Sequence, residues 1–313
     1  MKNFIEPRSL NQIEALVDNA ISLKNNPKDH SQLGRQKTMI LLFFNSSLRT
    51  RLSTQIAAEQ LGMHVISLEM SATWNLELED GTVMRFDTAE HIKDAAAVLS
   101  MYGDIIGIRA FAKLKDKAAD YSENLINTLE RHCSIPVVNL ESSIRHPLQS
   151  LADFMTIKEQ AVKQPKIVLS WAPHPRALPH AVANSFLEWA HLCNHQVTVT
   201  HPKGYDLDAQ FMEGHKVVYD QAEAFKDADF VYVKNWSATS QYGQILNKSD
   251  EWIINESKMA NTANGRFMHC MPIRRNVVAT DGVIDSPQSL MYQQANNRLH
   301  AAKFVIKSIL DNE

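Results

Sequence analysis

Short β-rich apolar runs recur along this chain between stretches of helical periodicity, and no other feature restricts its fold as sharply. They fall at residues 39–44 (MILLFF), 65–68, 104–108, 137–140, 167–171, 197–200, 217–219, 230–233 and 267–268. A strand with one face in water alternates apolar and polar side chains, whereas a strand covered on both faces does not. The runs therefore predict parallel strands sandwiched between helices. The amphipathic stretches at 51–61, 91–101, 121–132, 148–162 and 178–191 are long enough for the crossovers that parallel strands require. The fold class is α/β. So many strands exceed the five or six of a usual sheet, which predicts two sheets in two domains. The boundary is expected between 147 and 165, with a first domain of residues 1–147 and a second of 148–287. The last helical pattern, in 288–313, is expected to cross back and pack on the first domain.

Charge and composition narrow the function. The 313 residues carry 32 Lys plus Arg against 35 Asp plus Glu, a formal charge of −3, so the broad positive excess of a nucleic-acid binder is missing and any anion site must be local. Cys133, Cys193 and Cys270 are odd in number and far apart, as in a cytoplasmic protein with reduced thiols. The first twenty residues include acids and lack an unbroken apolar stretch, and no run approaches the ~18 apolar residues of a membrane span; a cytoplasmic protein without membrane contact is expected. Neither GxGxxG nor GxxxxGK[ST] occurs, and no Cys-x-x-Cys accompanies the 13 histidines, so neither a cofactor nor a metal is expected.

Three segments carry chemistry, each directly after an apolar run. In the first, Asn45-Ser46-Ser47-Leu48-Arg49-Thr50-Arg51 opens a helical pattern. Hydroxyls and guanidinium groups at a helix N-terminus converge with free backbone N–H groups and the positive dipole end, a site for phosphate. The same residues also suit a simple serine N-cap with two solvated arginines. The second, Glu141-Ser142-Ser143-Ile144-Arg145-His146-Pro147-Leu148-Gln149, sets an imidazole and an amide at a strand's carboxyl end, where open α/β sheets bind ligands. His146 there is either a carbonyl polariser or a capping residue, and Arg109 likewise ends a strand. The third, Phe267-Met268-His269-Cys270-Met271-Pro272-Ile273-Arg274-Arg275, admits a Cys-His thiol hydrolase using Cys270, against the alternative of an inert buried thiol.

In this order the segments resemble the aspartate/ornithine carbamoyltransferase family. Its pattern of Ser-x-Arg-Thr, His-Pro-x-Gln and His-Cys-x-Pro is matched by Ser47-Leu48-Arg49-Thr50, His146-Pro147-Leu148-Gln149 and His269-Cys270-Met271-Pro272, across almost the full chain. The resemblance implies two Rossmann-like domains with the active site in the cleft between them, a homotrimer, and transfer of a carbamoyl group from carbamoyl phosphate to an amine. It implies that carbamoyl phosphate binds Ser47, Leu48, Arg49 and Thr50, with Arg109, His146, Gln149, Cys270, Met271 and Arg298 around the carbamoyl end. Arg49, Thr50, Arg109, His146 and Cys270 would carry the catalytic work, and Trp74, in the loop at 71–81, would reach the neighbouring subunit's site.

The acceptor is a finer matter. Enzymes for free ornithine grip its α-amino group with an Asp-x-x-Ser-Met-Gly segment, absent here, where the corresponding residues are Val233-Lys234-Asn235-Trp236. With the loop Trp171-Ala172-Pro173-His174-Pro175-Arg176-Ala177-Leu178-Pro179, this resembles the branch acting on N-acylated ornithines in arginine biosynthesis. Acylation removes the α-ammonium charge, so an acidic grip loses its target. By resemblance Glu141, His174, Lys234 and Arg274 contact the acylornithine. Acetyl-type members have Glu where this chain has Ala89 and Lys where it has Val278; succinyl-type members have Pro and an aliphatic residue there. Ala89 leaves room for a succinyl carboxylate and Val278 fits the succinyl pattern, so N-succinylornithine is the expected acceptor and N-acetylornithine the alternative. The amine proton is expected to pass to the leaving phosphate, with His174 the second candidate base.

Overall fold

A computed structural model describes residues 1–10, 12–26, 28–70, 74–247 and 249–312. Two parallel sheets form its frame. The first contains β1 (Thr38–Phe43), β2 (His64–Glu69), β5 (Ile105–Arg109) and β6 (Val137–Glu141) in the order β2-β1-β5-β6. The second contains β7 (Ile167–Trp171), β8 (Val197–Thr200), β9 (Lys216–Val217), β10 (Phe230–Lys234) and β11 (Arg266–Met268) in the order β11-β10-β7-β8-β9. A short parallel pair, β3 (Leu76–Glu77) with β4 (Glu90–His91), stands apart. The central strands β5, β7 and β8 are buried along their whole length, which explains why they carry no charged side chain before Arg109 and only small hydroxyls (Ser170, Thr198, Thr200) among their apolar residues. Edge strands differ: β2 is largely exposed, and β9 stops at Val217 instead of continuing to 219.

The longer helices are α1 (Ile13–Asn25), α2 (Leu48–Gln60), α3 (Ile92–Tyr102), α5 (Asn124–His132), α6 (Pro147–Lys158), α7 (Ala181–Leu192) and α11 (Met291–Leu310). Shorter ones are α4 (Lys117–Tyr121), α8 (Gln221–Phe225), α9 (Glu256–Met259) and α10 (Asp281–Ile284). Helix α6 is buried on every side from Pro147 to Ile157; α11 lies against α6, α2 and α1, and one apolar cluster runs through all of them. The C-terminal pattern thus packs on the helices α1, α2 and α6. No helix of the described residues is long and apolar enough to cross a membrane.

Two expected helices are corrected. The 121–132 stretch is broken at Glu123, whose φ of 49° is left-handed; its buried carboxylate accepts from Arg145 Nη1 at 3.2 Å, so a tertiary contact overrides helical periodicity. The 178–191 stretch becomes helical only at Ala181, because Pro179 disfavours helical backbone at Leu178.

Candidate active site

Strand order reverses at β1/β5 in the first sheet and at β7/β10 in the second, since the strands following β1 and β7 lie on opposite sides of them. Ligands of open α/β sheets bind beside the carboxyl ends at such reversals. Both ends open onto a single cavity of about 880 Å³. From the first sheet it receives Ser47, Leu48, Arg49 and Thr50 after β1, Arg109 from β5, and Glu141, His146 and Gln149 after β6. From the second come His174, Lys234, Cys270, Met271, Arg274 and Val278, and α11 adds Arg298.

Ser47 is the N-cap of α2, its Oγ accepting from Thr50 N at 3.3 Å, so the capping reading holds without excluding an anion at the same N–H groups. The two arginines diverge. Arg51 pairs with Glu69, while the Arg49 guanidinium has no hydrogen bond or ion pair among the described residues. A register shift at Ile108/Arg109 sets Arg109 opposite Glu141. There its Nε and Nη2 lie 3.2 Å from Glu141 Oε2, and Nη1 donates to the carbonyls of Asn45 and Ser46 at 2.8 Å. Arg109 therefore braces the turn that starts α2.

Pro147 opens α6, leaving His146 at the N-cap. Arg298 Nη1 lies 3.1 Å from His146 Nε2 and donates to Gln149 Oε1 at 2.7 Å; Nη2 donates to Thr50 Oγ1 at 3.3 Å. A guanidinium can only donate, so in this contact Nε2 accepts, while Glu141 Oε2 lies 3.4 Å from the same nitrogen. Burial, then the charges of Arg298, Arg109 and Lys234, hold this imidazole well below its usual pKa, and the ring is neutral. Burial pushes the Glu141 carboxyl up while the same cations pull it back.

On the facing side Arg274 Nε donates to His174 Nε2 at 3.0 Å, and His174 Nδ1 donates to the Arg176 carbonyl at 2.8 Å. The Arg176 N–H also lies 3.1 Å from Nδ1, so both ring nitrogens of His174 are engaged by neighbouring groups. Lys234 ends β10, and its ammonium has no hydrogen bond or ion pair among the described residues. Cys270 is buried and its thiol is pushed up by that burial; no histidine among the described residues hydrogen-bonds its Sγ. A thiolate nucleophile has no base here, and the thiol-hydrolase alternative falls.

Two expected residues lie elsewhere. Trp74 borders a second cavity of about 1080 Å³, its indole N–H donating to Glu90 Oε2 at 2.9 Å. Ala89 is exposed, its backbone N–H held by the Asn75 carbonyl at 2.8 Å. Residues 71–73 of the Trp74 loop lie outside the described residues. Sequence reasoning missed Asn235, which lines the cavity, and the buried pair Asp153 and Gln294 behind it; only the spacing of Gln149 and Asp153, four apart on a helix, signalled contact. Among the described residues no group of three or more His, Cys, Asp or Glu could hold a metal ion.

Comparison with known proteins gives concordant matches. The model of the aspartate/ornithine carbamoyltransferase carbamoyl-P binding domain matches residues 2–159, and that of the Asp/Orn binding domain matches 179–309. An N-succinylornithine carbamoyltransferase of Bacteroides fragilis (strain 638R) is 45% identical over 100% of this chain and 99% of its own length. An N-acetylornithine carbamoyltransferase of Xanthomonas axonopodis pv. citri (strain 306) is 37% identical over 99% of this chain and 96% of its own. Among solved structures, an N-acetyl-L-ornithine transcarbamylase with one glutamate replaced by alanine, complexed with carbamyl phosphate and N-succinyl-L-norvaline, has a TM-score of 0.92 and 35% identity, covering 99% of this chain and 100% of that one.

Proposed function

The chain belongs to the aspartate/ornithine carbamoyltransferase family, and from that premise we propose that it transfers the carbamoyl group of carbamoyl phosphate to the δ-amine of N-succinylornithine, yielding N-succinylcitrulline and phosphate in the arginine-forming branch of cytoplasmic metabolism. One observation carries the reading. Arg49, Lys234, Arg274 and Arg298 all line the cavity without a carboxylate partner among the described residues, whereas its two carboxylates, Glu69 and Glu141, already pair with Arg51 and Arg109. Four uncompensated cations suit a phosphate dianion and a dicarboxylate. Free ornithine would add an α-ammonium group with no open acid to receive it. Ala89 stands, by resemblance, where acetyl-type members carry a glutamate, and an acetyl-type variant with a glutamate exchanged for alanine is crystallised with N-succinyl-L-norvaline.

In this mechanism Arg49 and the first N–H groups of α2 hold the phosphate, with the Ser47 hydroxyl donating to it. The neutral δ-amine attacks the carbonyl carbon, forming the new N–C bond and a tetrahedral oxyanion. Thr50, Arg109 and His146 stabilise that oxygen, while Gln149 and the backbone carbonyls of Cys270 and Met271 receive the carbamoyl NH₂ group. The C–O bond to phosphate then breaks, phosphate leaves with the electron pair, and it takes the amine proton. Glu141, His174, Lys234 and Arg274 hold the acylornithine, with Arg274 on the succinyl carboxylate. The working unit is a homotrimer in which Trp74 reaches the neighbouring subunit's cavity. This reading is supported by the exposure of Trp74 and by a stripe of exposed apolar side chains, Leu48, Leu52 and Ile56 on α2 with Ile66 and Leu68 on β2.

The test supplies carbamoyl phosphate with ornithine, N-acetylornithine or N-succinylornithine in separate assays and measures the ureido product. Succinylornithine is expected to be the preferred acceptor. Exclusive use of the acetyl compound would overturn the reading of Ala89 and Val278, and preference for free ornithine would overturn the acylornithine assignment.

A further inference from the structure

Behind the cavity wall, Asp153 of α6 is fully buried, and one of its oxygens, Oδ1, accepts from two amides at once: Gln149 Nε2 at 2.7 Å and Gln294 Nε2 at 2.7 Å. Each amide has a second partner. Gln149 Oε1 accepts from Arg298 Nη1 at 2.7 Å, and Gln294 Oε1 accepts from His269 N at 3.1 Å. A carboxylate oxygen can only accept here, so both NH₂ groups must face Asp153 and both carbonyl oxygens must face away. One arm therefore ends on the His146–Gln149–Arg298 group, and the other on the backbone that leads into Cys270.

We propose that Asp153 is the positioning residue of the carbamoyl subsite: by holding Gln149 and Gln294 on one oxygen it sets their polarity and ties the two halves of the subsite in register, so that an acceptor oxygen meets the NH₂ group of the donor. The inference rests on the carbamoyl-transfer reading and adds to it what keeps the NH₂ acceptors turned toward an amide in place of a methyl group. Acetyl phosphate matches carbamoyl phosphate in charge and shape but carries CH₃ for NH₂. A site built to receive a donor hydrogen bond rejects such an analogue more strongly than a merely apolar pocket could.

The test measures KM for carbamoyl phosphate, kcat, and the inhibition constant of acetyl phosphate in the wild type and in Asp153→Asn, Asp153→Leu and Gln294→Met. Asn keeps an Oδ1 acceptor for both amides and is expected to stay within about threefold of the wild type. Leu removes it and is expected to lower kcat/KM for carbamoyl phosphate by about 100-fold, the loss typical of an ångström-scale misplacement. In the Leu variant the preference for carbamoyl over acetyl phosphate also narrows; a purely structural loss would lower both affinities together and leave their ratio unmoved. Gln294→Met cuts only the His269 arm, keeps the Asp153–Gln149 bond, and is expected to raise KM for carbamoyl phosphate several-fold, so the proposal stays testable if the Leu protein does not fold. An unchanged ratio in Leu, unchanged kinetics in Met, or an Asn variant as impaired as Leu would each overturn the inference. Failure of the wild type itself to use carbamoyl phosphate would remove the functional reading and this inference with it.

Discussion

Replacing Arg298 tests the site at its point of greatest connectivity. The guanidinium is 6% exposed and serves three buried acceptors: His146 Nε2 at 3.1 Å, Gln149 Oε1 at 2.7 Å and Thr50 Oγ1 at 3.3 Å. In Arg298→Met all three lose their donor. A buried polar group left without a partner costs about 1–3 kcal/mol, and water entering from the cavity favours the lower end, so three of them predict a stability loss of about 3 kcal/mol. Turnover should fall further than stability alone explains. Two of the orphaned groups, His146 and Thr50, are among the three donors assigned to the carbonyl oxygen, and loss of one preorganised donor typically lowers kcat by about 100- to 1000-fold. Burial remains the principal reason His146 is neutral, so the exchange disorders the ring without making it an imidazolium. Arg298→Lys restores charge but lacks the planar fork that reaches three acceptors, and should recover only part of the rate. Initial-rate kinetics in both substrates, with urea unfolding of each variant, separate the effects; the KM for the acylornithine should move by less than about threefold. A folded Arg298→Met enzyme with kcat within threefold of the wild type would refute the argument.

Arg49→Gln removes a cation that has no internal partner, so stability should hardly change, while the KM for carbamoyl phosphate should rise about 10- to 150-fold, the worth of a charged hydrogen bond of about 1.5–3 kcal/mol. Equal weakening of both substrates would instead mark Arg49 as structural. His180 provides a pH prediction. It is 1% exposed, lies between Tyr121 and Ser237, and has its pKa lowered to about 4 by burial. Because the unfolded chain binds this proton near pH 6.5 and the folded one only near 4, the group's contribution is present above pH 6.5 and is lost as pH falls to about 4, by about 3 kcal/mol. Asp153, with its pKa raised to about 6, acts in the opposite sense but is common to both proteins. Urea titrations from pH 7 to pH 4 should therefore give His180→Asn a shallower acid loss than the wild type, and identical slopes would contradict the assignment.

What could be read in advance was set by local chemistry, and what could not was set by distance along the chain. Strands β5, β7 and β10 were legible because a strand covered on both faces is predominantly apolar with no alternation, and helix α2 because a capping serine announces its start. Glu123 was not legible, because nothing near it in sequence says that Arg145 will draw its carboxylate inward and break the helix. The same limit divides the site. Arg49, His146, Lys234 and Cys270 each follow a strand and so were nameable as candidates, but whether a cation is free or spent depends on partners elsewhere: Arg51 on Glu69, Arg109 on Glu141. That partition separates an arginine without an internal partner from a bracing one, although the two are alike in sequence signal. Asp153 is the extreme case. Its meaning comes from Gln294, 141 positions away, and through it from His269, so a residue that looks like one more polar position in a helix holds both halves of the pocket together. Motifs report the groups that meet the substrate; the groups that aim them become visible only when the chain has folded.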